Sequence, residues 1–145
     1  MNTITPMPKT LLYYLMPALV WALFIAVLCG MPGTSIPHVS WLELLSFDKV
    51  VHASLFFVLT TLSLAGVFNN YHKNYFSAEP IYFITAFTCV CYGGVLELLQ
   101  DAFFVARSAD TYDFVANTFG VIIAVVYFNK IKQYLPYTTN HNKER

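Results

Sequence analysis

Nine residues of this chain combine chemically capable types with helix-like spacings: Asp48, Lys49, His52, Glu97, Gln100, Arg107, Asp110, Asp113 and Asn117. His52 with Glu97 or Asp113 supplies general acid–base groups, so these three are the candidate catalytic residues. Arg107 or Lys49 could hold a phosphate or a carboxylate. The whole set is the candidate ligand-binding surface. His52, Glu97 and Asp113 are also metal-ligand types, yet no HExxH or DDxxD-like spacing is present, and the expectation is that no metal or other cofactor is held. No nucleophile motif or phosphate loop accompanies the set. Cys29, Cys89 and Cys91 show neither paired-thiol nor zinc spacing, and Cys89 and Cys91, two residues apart, point to different helix faces.

The elements that must position these residues follow from composition. Of 145 residues, 57% are hydrophobic, 17% aromatic and only 11% charged, and the mean hydropathy is +0.56. A soluble domain carries about 25% charged residues. Eight basic residues balance eight acidic ones, which argues against nucleic acid as a partner. A bilayer suits this composition, and about 20 apolar residues cross its hydrocarbon as a helix. Four such stretches are predicted, at 11–30, 51–68, 81–100 and 113–129, the last able to recruit 109–112 as a first turn. The runs are too long for strands and lack period-two alternation. The expected architecture is one all-α domain, an up-down-up-down bundle of four transmembrane helices. The first span is longer than a signal-peptide core and only Lys9 precedes it, so it is expected to be retained.

Orientation follows from Lys and Arg. With four spans, Lys9, Lys73, Lys130, Lys132, Lys143 and Arg145 share one side, and only Lys49 and Arg107 the other. Both termini are therefore expected in the cytoplasm. Tyr13, Tyr14, Tyr71, Tyr75, Tyr82, Tyr127 and Tyr134 would flank the inner boundary; Trp41, Phe47, Phe103 and Tyr112 would flank the outer one.

Acidic residues are distributed oppositely. Glu43, Asp48, Glu97, Asp101, Asp110 and Asp113 all fall at or near the outer face. Some have an ordinary explanation: Asp48 can cap the second span, and Asp110 the fourth, with Asp113 completing a box-like pattern. Others break the electrostatic rule for helix ends. Glu97 and Asp101 sit at the negative, C-terminal end of the third span, and Lys49 and His52 at the positive start of the second. Such violations tend to fall at functional sites when something compensates. The compensation available is mutual, Glu97 and Asp101 with Lys49, His52 or Arg107. Glu97 lies about 5 Å inside the outer end at helical rise, a depth at which an ionisable residue is by default a functional candidate.

Small residues tell which faces pack. Thr85, Cys89, Gly93 and Glu97 recur every four residues, Ala116, Gly120 and Ala124 form a second run, and Asp113, Asn117 and Gly120 share a face. Such stripes let helices approach closely in lipid. The packed faces therefore carry Glu97, Asp113 and Asn117, which should converge with His52 and Arg107 near the outer mouth. An Arg107–acid pair is the expected direct contact, because the guanidinium fork suits a carboxylate.

The same residues carry a resemblance. Asp48-Lys49-Val50-Val51-His52 opening a span resembles the D-K-x-x-H motif of the VanZ-like membrane family. Gly93-x3-Glu97-x2-Gln100, then Arg107-Ser108-Ala109-Asp110-x2-Asp113 and Asn117-x2-Gly120, is similar to the second motif series of that family. The ordered set covers about residues 48–124. Two positions depart: Phe56 stands where the family often has tyrosine, and Ala124 where a second glycine is common. The resemblance implies a small bacterial multi-pass protein of the inner (plasma) membrane, while the spans and the basic bias divide the chain into a cytoplasmic start at 1–10, a four-helix domain at 11–130 and a polar cytoplasmic tail at 131–145. One family member is associated with resistance to teicoplanin, a lipid-anchored glycopeptide.

Two functional classes remain. In the first, the outward polar site binds an amphiphilic or lipid-linked envelope molecule, its head group on the polar cluster and its chain in the bundle or surrounding lipid. In the second, the protein is a membrane enzyme using His52, Glu97 or Asp113 on a lipid-linked substrate. The missing catalytic motifs favour binding. A transport role needs more spans than one chain offers, although a homo-oligomer could supply them.

Overall fold

The computed structural model describes residues 10–30, 47–71, 78–103 and 111–135, and these segments are helical. They form α1 (Leu11–Cys29), α2 (Phe47–Tyr71), α3 (Ala78–Phe103) and α4 (Thr111–Ile131), the last followed by a 3-10 turn, Lys132–Tyr134. No strand occurs among the described residues. All four helices are long and apolar enough to cross a membrane.

Each helix after the first is longer than the apolar run that predicts it. Helix α2 starts at Phe47 rather than at Val51, and α3 starts at Ala78 and continues to Phe103. Hydropathy registers only the part suited to hydrocarbon, whereas polar residues at the ends continue the backbone ladder. Asp48 therefore does not cap α2 from outside. It lies in the first helical turn, where the positive helix end still favours an acid.

The contacts fix the directions. Trp21 Nε1 donates to the Leu55 carbonyl at 3.0 Å, and Gly66 faces Tyr14, so α1 and α2 are antiparallel. The Tyr82 hydroxyl donates to Asn129 Oδ1 at 3.2 Å while Gly94 meets Phe114, so α3 and α4 are antiparallel too. His52 pairs with Asn117 and Gly120 meets Ala53, which makes α2 and α4 parallel. This is an up-down-up-down bundle with α2 against all three other helices, and α2 and α4 share its largest interface.

Two close approaches set that packing. A Cβ at Gly120 would lie 2.1 Å from the Ala53 carbonyl oxygen, and one at Gly66 would lie 2.6 Å from that of Tyr14. Neither position admits a side chain without moving a backbone. Ile25, Phe56, Leu59, Cys89, Leu96 and Val121 form the main core, and Leu64, Ala65 and Phe128 a second cluster. Leu12, Leu23, Phe83, Ile84, Leu98 and Val126 lie outward and exposed, an extended apolar coat compatible with a multi-pass membrane protein. Hydroxyl groups within this apolar setting bond back to their own helix. Ser54 donates to the Val50 carbonyl, Thr61 to Phe57, Ser63 to Leu59, Thr88 to Ile84 and Thr118 to Phe114, so these groups need no partner from elsewhere.

Candidate functional site

The parallel run of α2 and α4 sets their first turns side by side. Asp48, Lys49 and His52 come from one, Asp113 and Asn117 from the other. Lys49 Nζ makes an ion pair with Asp113 Oδ1 and lies 3.5 Å from Asp48 Oδ2. The remaining oxygens, Asp48 Oδ1 and Asp113 Oδ2, each lie 3.8 Å from His52 Nε2. On the opposite side of the ring, His52 Nδ1 is 3.1 Å from Asn117 Oδ1. An amide oxygen can only accept, so Nδ1 donates in this bond. The cluster grades inward: the Asp48 side chain is 63% exposed, Lys49 29% and Asp113 14%, while His52 and Asn117 are buried.

Helix α3 brings Glu97 to the same end. Gly93, one turn earlier, packs on Phe56 and on the Asn117 side chain. Because α3 is antiparallel to both neighbours, one turn further along it and one turn back along them sets Glu97 level with His52 and Asp113. Glu97 is buried, and so are Thr85, Cys89 and Gly93, so the whole predicted stripe faces inward. Cys89 is buried and Cys91 exposed, in keeping with their placement on different faces.

Gln100 has another task. Its buried Nε2 donates to the Cys29 carbonyl at 3.1 Å, occupying an acceptor that the last turn of α1 leaves without a helical partner. It ties α3 to the end of α1, as the Tyr92 hydroxyl does one level deeper through the Ala22 carbonyl at 2.6 Å. Asp101 is exposed. Arg107 and Asp110 lie outside the described residues, and so does the expected Arg107–acid pair. Among the described residues, Lys49 makes a direct cation–carboxylate contact with Asp113.

The two departures from the VanZ-like pattern fall in the packed interior. Phe56 is buried beside Tyr92, with ring centroids 6.2 Å apart, one turn below His52. Ala124 is fully buried, so a glycine there would alter packing alone.

On the flank of the bundle, an open groove of about 400 Å³ lies between α1, α2 and α3, with Leu15, Leu59 and Val67 among its apolar walls and the exposed Leu19 and Ile84 at its rim. Thr85 and Cys89 line it as well, and their stripe runs on through Gly93 to Glu97. Between this groove and the polar cluster the Gly93 level is closed by Phe56 and Asn117. Asp48, His52 and Asp113 place one ligand atom each within 4.8 Å of the others, a donor set of two carboxylates and an imidazole. Spacing within a single helix does not show this set, because Asp113 enters from α4.

Compared with family models, curated proteins and solved structures, the chain matches none.

Proposed function

We propose that the chain is a VanZ-like multi-pass protein of the bacterial cell membrane whose outward polar site holds an amphiphilic or lipid-linked envelope molecule. The motif series supports the family reading, since Asp48, Lys49, His52, Asp113 and Asn117 lie together although 65 positions separate His52 from Asn117. Orientation rests on charge. Lys130 at the end of α4 and Lys132 in the turn after it belong to the six basic residues on the side of the termini, against Lys49 and Arg107 on the other, and this bias supports a cytoplasmic placement of both termini.

One observation carries the binding reading. A graded polar cluster at one mouth of the bundle, exposed at Asp48 and buried at His52, is flanked by helices whose outer faces are apolar and exposed, an arrangement suited to a molecule whose polar head meets the cluster while its hydrocarbon chain lies along the outside of the bundle. The placement of His52 between two carboxylates, with its far nitrogen held by Asn117, favours acid–base chemistry as the second reading. Glutamine at Glu97 or at His52 keeps polarity but removes the ionisable group. Both variants should reach the membrane at near-normal abundance yet lose the envelope phenotype, read as susceptibility to a lipidated glycopeptide in the same cells. A phenotype that declines only in proportion to abundance would leave these residues a packing role. A product assay on a lipid-linked substrate separates the enzyme reading from binding.

A further inference from the structure

The geometry points to a divalent transition-metal site formed by Asp48, His52 and Asp113 at the paired starts of α2 and α4. His52 Nε2 stands 3.8 Å from one oxygen of each carboxylate. That is too long for a direct hydrogen bond. It is close to the separation of two atoms ligating one ion, roughly 3.4 Å for tetrahedral ligands at about 2.1 Å.

Burial and orientation supply independent support. His52 is only 7% exposed, and Asn117, at 2%, fixes the ring through Nδ1. Nε2 is thereby aimed at the space between the two carboxylates. Metal-bound histidines characteristically give their other N–H to an oxygen acceptor in this way. Each acid is also divided in role, one oxygen toward Lys49 and the other toward the gap. Lys49 offsets one of the two negative charges, so a dication is received by a set of net charge near −1.

Ligand chemistry selects the ion. Calcium and magnesium prefer oxygen donors alone, whereas one imidazole with two carboxylates suits Zn2+ or Mn2+. Three protein ligands leave at least one coordination position open, and exposed Asp48 gives an ion access from that end. The inference stands apart from the lipid reading, because metal binding is measured with the ion alone.

The experiment uses the full chain, tag removed, purified in detergent and stripped with chelator. Zn2+ is titrated by calorimetry and Mn2+ by loss of its free electron paramagnetic resonance signal. The expected result is one ion per chain, with affinity lowered at least about tenfold in Asp48→Asn and in His52→Gln. Asn117→Ala should weaken binding about 10–100-fold through the freed ring. Asp48 is largely exposed, so Asp48→Asn tests the ligand without removing a buried group, and thermal unfolding of the metal-free variant checks its fold. Unchanged affinity in Asp48→Asn and His52→Gln would assign the ion to other histidines or thiols and overturn the site. So would the absence of stoichiometric binding by the unaltered protein.

Discussion

Lys49 occupies the first turn of a helix, where the backbone dipole opposes a cation. Two acids account for it, Asp113 from the neighbouring helix and Asp48 beside it. That a local rule is broken was legible in the sequence; that Asp113 of α4 and Asp48 meet Lys49 was not. Reading the helices singly assigns Asp48 and Asp113 to capping and leaves Lys49 to Glu97 or Asp101. Only the adjacency of α2 and α4 shows that the same acids serve the helix ends and the lysine together. Lys49→Met and Asp113→Asn should each lower stability by about 1–2 kcal/mol, between an exposed pair and a buried charged hydrogen bond. The double variant should lose less than the sum, because the second change removes a group already deprived of its partner. Unfolding of all three variants in one detergent measures the coupling, and strict additivity would deny the pair an energetic role.

Helices α2 and α4 meet where glycine removes a side chain. Alanine at Gly120 would meet the Ala53 carbonyl, and alanine at Gly66 that of Tyr14. Both substitutions should destabilise by about 1–3 kcal/mol, the usual cost of overpacking. Gly94→Ala should be close to neutral, since its added methyl would lie 3.5 Å from the Phe114 ring, in ordinary contact. Thermal denaturation of the three variants gives the ranking, and equal behaviour would mean that the helices separate without cost. The stripe from Thr85 to Glu97 could be read from spacing alone, because period four along an apolar helix already defines a face. Gly66 could not, as Ser63 and Ala65 close by on the same helix are small as well and point to different faces, so size alone offers no preferred direction. The lengths of α2 and α3 were also hidden, since hydropathy falls at their ends while the helices continue.

At the scale of the whole molecule, the four membrane-length helices among the described residues and their alternation were the most legible features, because apolar length and the gaps between runs dictate both. The choice of neighbours was not. Among four antiparallel-connected helices, nothing in the spacing says that the parallel pair α2 and α4 shares the largest interface. Charge distribution supplies the orientation expectation. A reporter active only in the cytoplasm should work when fused at the C-terminus and fail when inserted after His38; strong activity at His38 would reverse the placement of the polar cluster. The pairing of α2 with α4 bears finally on the order in which the protein is made. Lys49 and His52 emerge with the second helix, but Asp113 and Asn117 arrive only with the fourth. Until then the ribosome has released a lysine and a histidine whose partners from α4 do not yet exist. A chain halted after α3 would keep Asp48 beside Lys49 and His52 but would lack Asp113 and Asn117, so the cluster closes only when the last helix docks.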